Sequence, residues 1–312
     1  MTITQFGNGG ATSNGSKFWD GSAVYAGDRG LFGGGTTGSS TINSIEYITI
    51  TTTGNGTDFG DLTQARRELG SCSSSARGLF IGGNTGSLVN TIDYVSIAAT
   101  GNATDFGDLS ASRRLFKGCS NDTRGVVGGG LEGGGEVNTM EYVTIATASN
   151  VTDFGDLTVS RYGPSACGSS TRGVFGGGNG AKVTIDYITI ATTGNATNFG
   201  DLTVGREDLS AASSATRGVF GGGYGTGNSK VLDYITIATT GNATSFGDLV
   251  QVRNGVAATG NLTRGVWAGG SSYQTSMDYI TFATTGNATN FGNMDSVGKY
   301  AAAGCSNSHG GL

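Results

Sequence analysis

Proline is nearly absent from this chain, one residue in 312, and histidine also occurs once. Cysteine occurs four times, at Cys72, Cys119, Cys167 and Cys305, with no Cys-x-x-Cys pair. Charged residues form 13% of the chain, about half the roughly 25% usual in globular domains. Each scarcity excludes something. Collagen needs abundant proline with glycine at every third position, and the chain has neither. Disordered chains are usually rich in charge and proline, and this one is poor in both. The cysteine spacing suits neither a disulfide scaffold nor a zinc site. His309 alone cannot supply a copper-type site of several imidazoles, and general acid–base work is left without its usual residue. No apolar run reaches the roughly 18 residues of a membrane span. The first residues lack the charged and apolar regions of a signal peptide, so none is expected. With a net charge of −5 and a pI near 4.9, the basic face that nucleic acid or an anionic membrane requires is not expected. No cofactor is implied.

What is present instead is glycine, 59 residues of it, and a repeat. A segment Arg-Gly-(Leu/Val)-(Phe/Val/Trp) followed by a Gly pair has its arginine at Arg29, Arg77, Arg124, Arg172, Arg217 and Arg264, spaced by 48, 47, 48, 45 and 47 residues. After each comes an acid-Tyr pair, led by Glu46, Asp93, Glu141, Asp186, Asp233 and Asp278. Then comes a Phe-Gly step at Phe59, Phe106, Phe154, Phe199, Phe246 and Phe291. Seven residues further on stands Arg66, Arg113, Arg161, Arg206 or Arg253, and the sixth unit departs with Gly298-Lys299.

Each unit reads as four short strands. Strand a is a small-residue run such as Gly70-Ser-Cys-Ser. Strand b follows the first arginine. Strand c alternates β-branched residues around the acid-Tyr pair, and strand d surrounds the Phe-Gly step. The Gly-Asn between c and d suits a tight turn. No segment carries a capped 3.6-residue period, so almost no helix is expected. Four strands in about 47 residues suit a propeller blade, with strand a nearest the axis, where small side chains let neighbours approach. The expected fold is therefore all-β, a single propeller domain over residues 1–312. Terminal fragments remain at 1–8 and 301–312. Phe6-Gly7-Asn8 matches the end of a unit, and Cys305-Ser-Asn-Ser aligns with Cys72-Ser-Ser-Ser. Seven strand-a candidates, near 24, 72, 119, 167, 212, 259 and 305, favour seven blades with a composite N/C-terminal closing blade; six blades is the alternative.

The pattern resembles the Kelch repeat, through Arg66, Gly82-Gly83, Asp93-Tyr94 and Phe106. It departs in having the acid before the tyrosine and Phe for the usual Trp. It also resembles repeat-containing virion structural proteins of tailed marine bacteriophages, through Ala-Thr-Thr-Gly-Asn-Ala-Thr-Asn-Phe-Gly at 191–200 and 283–292 and the ending Ser306-Asn-Ser-His-Gly-Gly-Leu312. That resemblance implies a location in the virion and a structural role. The protein would decorate the particle or form a tail appendage, with a homo-oligomer in the particle as one arrangement, and bind other virion proteins or a host surface glycan.

The repeated charges recur in every unit, unlike a catalytic cluster. Arg66, Arg113, Arg161, Arg206 and Arg253, with acids such as Asp93, Asp186 and Asp233, are expected to form pairs within or between blades and hydrogen bonds that anchor backbone turns. The aspartates at 61, 108, 156, 201 and 248 and the strand-b arginines are read the same way. The cysteines share one slot, five residues before the strand-b arginine, with Val24, Ala212 and Thr259. They are read as small packed side chains rather than a metal-binding ring. The Asn-x-Thr triplets at Asn55, Asn102, Asn150, Asn195, Asn242 and Asn287 are read as turn chemistry. The variable positions point to binding. The b–c and d–a connections share one face, and the candidate contact residues are Phe18, Trp19, Phe116, Tyr162, Tyr224, Tyr273 and Tyr300. No catalytic residue is expected. A glycan-cleaving tail enzyme would need paired carboxylates, for which Glu132, Glu136 and Asp208 are the only spare acids. A cellular Kelch-like interaction module is the other alternative.

Overall fold

The computed structural model describes residues 17–18, 24–25, 27–294 and 298–308. Its regular structure is entirely β among the described residues. Six four-stranded antiparallel sheets each run in the order a, b, c, d. Blade 2 is representative, with strands Gly70–Ser73, Arg77–Asn84, Leu88–Ser96 and Thr104–Asp108. The inner strands of successive blades touch one another, and the last touches the first, so the ring closes.

The ring has six blades, and the expectation of seven is corrected. The closing blade is composite, but its strand a is the C-terminal Ala303–Ser306, paired directly with Arg29–Gly33. That strand fills the one inner place open beside blade 1. Val24 carries the right spacing for the same slot. It pairs instead with Phe18 in a separate two-residue hairpin, Lys17–Phe18 against Val24–Tyr25. The fragment 1–8 and His309 lie outside the described residues.

The core is divided among the blade interfaces. One cluster joins Leu31, Ile45 and Phe59 of blade 1 to Phe80, Val95 and Ile97 of blade 2. The next joins Cys72, Ile92 and Phe106 of blade 2 to Val127, Val143 and Ile145 of blade 3. Both faces of a blade are thus buried, which is why strand c shows paired rather than alternating buried positions.

Two repeat signatures acquire physical causes here. The Phe-Gly step is a β-bulge: Ile92 pairs with Gly107 and Asp93 with Asp105, leaving Phe106 as the extra residue. The bulge turns that phenylalanine into the core, where Tyr94 meets its ring edge-on at 5.9 Å. Gly107 has φ +146°, and a Cβ there would strike the Ser149 carbonyl of the next blade.

The Gly pair, the second arginine and the acid form one clasp. Gly35 N–H of blade 1 donates to the Arg66 carbonyl at 2.9 Å. The Arg66 side chain then reaches forward into blade 2, to Asp93 at 2.7 Å and to the carbonyls of Thr91 and Phe80. A Cβ on Gly34 would lie 2.5 Å from the Arg66 oxygen. The same ion pair recurs as Arg113–Glu141, Arg161–Asp186, Arg206–Asp233 and Arg253–Asp278. The sixth junction uses Lys299 on Glu46, at 2.6 Å, with Gly270 N–H on the Lys299 carbonyl. Lys299 therefore performs the clasp in the unit whose position seven residues past Phe291 is Gly298. The expected pairing is thus between blades. Burial lowers the pKa of the five arginines and the facing carboxylates oppose that shift.

The other repeated charges behave differently. Strand-b arginines stack on the tyrosine of their own blade, as Arg77 does 4.5 Å above Tyr94, and donate to a carbonyl of the next blade, as Arg77 does to Ile145. They make cation–π contacts rather than ion pairs. Of the strand-d aspartates expected to pair, only Asp248 does so among the described residues, with Lys230 at 3.2 Å. The Asn-x-Thr asparagines staple blades: Asn102 Oδ1 accepts the Asp61 N–H of the preceding blade at 3.0 Å.

The four thiols are free and fully buried. Each occupies the strand-a slot, and Cys72 lies against Gly125 of the next blade's strand b, where a Cβ would collide with the sulfur. Burial pushes the Cys72 and Cys167 thiols up to about 12. The thiolate is the reactive form. A disulfide-exchange reagent at pH 8 is therefore expected to leave all four unmodified in the folded protein and to react with all four in denaturant. Rapid native labelling would contradict this packing.

Candidate binding face

The d–a connections meet at the axis. Their residues at 68, 115, 163, 208, 255 and 301 adopt left-handed backbone, with φ between +52° and +62°. Each N–H donates to the carbonyl of the preceding member: Leu115 to Glu68, Gly163 to Leu115, Asp208 to Gly163, Gly255 to Asp208, Ala301 to Gly255 and Glu68 to Ala301, all 2.7–2.9 Å. These six bonds close a ring around the mouth of the axial channel. Side chains do not make the ring, so its members differ freely as Glu, Leu, Gly, Asp, Gly and Ala.

Two residues further along begins strand a. That slot holds Gly70, Ser165, Ser210, Ala257 and Ala303, and in blade 3 it holds Lys117. The mouth, which holds about 30 Å³ of water-accessible space within an open region of about 370 Å³, is lined by Glu68, Lys117 and Asp208 among mainly apolar neighbours. Glu68 is engaged, by Arg114 at 2.5 Å and Arg67 at 3.4 Å. Lys117 and Asp208 attract one another but make no direct ion pair, and neither side chain has a hydrogen-bond partner among the described residues. Burial lowers Lys117 to about 8, with Asp208 opposing. Burial raises Asp208 to about 6, aided by Glu207 and Glu68 and opposed by Lys117 and Arg114.

The sequence candidates divide. Tyr224 and Tyr273 are exposed, at 44% each, on the b–c connections of blades 5 and 6. Tyr300 is half-buried at the axial mouth, with its ring against Gly255 and edge-to-face with Tyr273 at 6.5 Å; burial pushes its hydroxyl up to about 12. Tyr162 is half-buried, its N–H held by Asn179 Oδ1. Phe116 is a correction: it is fully buried, a core residue under the Arg113 guanidinium, because its neighbour Leu115 takes the left-handed position and turns it inward. Phe18 lies in the N-terminal hairpin, its side chain outside the description, and Trp19 lies outside the described residues. Glu132 sits 3.9 Å from Arg113, and Glu136 accepts Asn179 Nδ2.

Sequence reasoning missed the valines. Every exposed large hydrophobic among the described residues lies on this face: Val159, Val183, Val204, Tyr224, Val250, Val252 and Tyr273. All seven fall on b–c or d–a connections from the blade 3–4 junction to blade 6. The signal was available, since blades 1 and 2 carry Gln64 and Ala111 where Val159 and Val204 stand in blades 3 and 4.

The architecture and site define a class: a six-bladed β-propeller, a rigid ring with variable connections on one face, the form in which propellers commonly serve as interaction modules. Beyond that class, the chain matches no family model and no curated protein.

Proposed function

We propose that the protein is a non-enzymatic structural component of a tailed-phage virion, a decoration or tail-appendage module that docks another virion protein on its b–c/d–a face. The observation that carries the docking is the one-sided valine and tyrosine arc. Solvent-exposed branched aliphatic side chains gathered on one arc suit burial against a protein, and suit a glycan less. The setting in the virion rests on the resemblance of the Thr-Gly-Asn-Ala-Thr repeat wording to phage repeat proteins. The absence of chemistry is supported by the engagement of Glu132 and Glu136, which leaves Asp208 as the one spare acid at the mouth.

Mass spectrometry of purified particles is expected to find the protein. Val204→Asp together with Val250→Asp is expected to cut its incorporation by roughly tenfold or more, the loss of about 1.4 kcal/mol. Thr193→Asp, exposed on the opposite face, is expected to leave incorporation unchanged. A protein absent from particles would overturn the virion reading. Equal incorporation of both variants would overturn the docking face, and binding to a glycan array abolished by the same valine changes would replace the protein partner with a sugar.

A further inference from the structure

The axial mouth breaks the symmetry of the ring at two charges that neighbouring blades do not share. Lys117 stands where the other five blades have Gly, Ser or Ala, and Asp208, on the hydrogen-bonded ring two members on from Leu115, lines the same mouth. We propose that this mouth is a binding site for a small zwitterion of amino-acid size, whose carboxylate meets the Lys117 ammonium and whose ammonium meets the Asp208 carboxylate.

The argument is one of unmatched groups. The six buried cations of the clasp each have a carboxylate partner, whereas the half-buried Lys117 and Asp208, which line one mouth, make no ion pair and have no hydrogen-bond partner among the described residues. Unpaired charges in a partly enclosed, mainly apolar mouth are costly. Glu68 already has Arg114 and Arg67. The ring backbone already spends its N–H groups on itself. Among the charged groups lining the mouth, what remains without a protein partner is one donor of positive charge and one acceptor of negative charge. A monoanion or a monocation satisfies one and leaves the other bare; a zwitterion satisfies both, and the low local dielectric strengthens both contacts. The part-exposed apolar side chains of the mouth, Leu115 and Tyr300, receive the hydrocarbon between or beside the ligand's charges.

The same two groups set a pH signature. Asp208 is faced by Glu207, Glu68, Lys117, Arg114 and the Tyr300 hydroxyl, and Lys117 by Asp208. Binding needs Asp208 ionised and Lys117 protonated. Affinity is therefore expected to fall below about pH 6 and above about pH 8.

The test is calorimetric titration of the full chain at pH 7 with glycine, β-alanine and γ-aminobutyrate, which span a range of charge separations, and with acetate and methylammonium as single-charge controls. At least one zwitterion is expected to bind at least about tenfold more tightly than either control, as one lost charge contact corresponds to. Lys117→Met and Asp208→Asn are each expected to lose about that factor, with near-ultraviolet dichroism showing the ring intact. Should a variant fail to fold, the pH profile of the unaltered protein decides: a bell between pH 5 and 9 supports the site, and a flat profile overturns it. Zwitterions binding no better than the controls, or folded variants with unchanged affinity, would also overturn it. The docking arc is independent of this site: its failure appears in particle incorporation, and failure here appears only in the titrations.

Discussion

A chain truncated after Ala302 is expected to lose its cooperative fold. The ten residues removed contain the whole inner strand of blade 1. All four residues of Ala303–Ser306 are buried, and Ala303 and Cys305 belong to the core between blades 1 and 2. Their hydrogen bonds cross both neighbouring interfaces. Ser306 Oγ donates to the Gly260 carbonyl of blade 6 at 2.7 Å, Thr259 Oγ1 donates to the Cys305 carbonyl at 2.8 Å, and Ser71 Oγ of blade 2 donates to the Gly304 carbonyl at 2.7 Å. Truncation leaves strand Arg29–Gly33 with a bare inner edge and opens the ring at its axis. Such a loss is comparable to a whole domain's stability of about 5–15 kcal/mol. Thermal unfolding followed by near-ultraviolet dichroism is expected to show no sharp transition. The complementary deletion discriminates the blade count. A chain beginning at Gly27 keeps all four strands of all six blades, so it is expected to unfold cooperatively within about 2 kcal/mol of the full chain, the ordinary range for a change that removes no blade strand. A seven-bladed ring closed by residues 1–8 would instead fail with either deletion.

That pair of deletions also locates the boundary of what the sequence discloses. The four-strand unit was legible because Gly-Gly, a second basic residue and acid-Tyr recur in one order, and each proves to be one part of the same clasp. The inner strand was less legible. Any run of small residues fits beside the next blade's glycine, so Val24 and Cys305 were equally good candidates for the place that only Cys305 occupies. Lys299 was passed over because it stands one place later than the arginines, although its ammonium reaches the same kind of carboxylate. The hydrogen-bonded ring at the axis was invisible for a different reason: left-handed backbone at Glu68, Leu115 or Asp208 leaves no mark in residue type. At the site, Tyr224 and Tyr273 were legible as exposed loop aromatics, whereas Phe116 was not distinguishable from them, since its burial depends on the turn at Leu115. Lys117 could have been singled out by its slot, as the one long charged side chain where five blades have Gly, Ser or Ala.

Replacing Arg161 by alanine is expected to cost about 3–5 kcal/mol, the range for removing one member of a buried ion pair. The guanidinium is fully buried and bonds Asp186, the Gly177 carbonyl at 2.9 Å and the Thr184 carbonyl at 2.8 Å. Its removal leaves the Asp186 carboxylate buried with only Thr158 as partner, through the Thr158 hydroxyl at 2.6 Å and N–H at 3.2 Å. The charge, rather than the lost volume, dominates the cost. Two further variants separate these contributions. Arg161→Ala with Asp186→Asn removes the stranded charge, so the double variant is expected to be more stable than the sum of the singles by about 2 kcal/mol, a coupling in the range for contacting charged groups. Arg161→Lys keeps the charge but loses the fork that binds the carboxylate and two carbonyls together. The blade 6–1 junction shows how a lysine manages: Lys299 meets Glu46, whose extra methylene makes up for the shorter reach, and its other carbonyl contact, to Ser44, is long at 3.4 Å. Arg161→Lys with Asp186→Glu is accordingly expected to recover stability relative to Arg161→Lys alone. Chemical denaturation of the set checks each sign. Additive single losses, or an Arg161→Ala cost below about 1 kcal/mol, the range of exposed pairs, would show that the clasp holds the blades by shape and backbone bonding and that the buried charges contribute little.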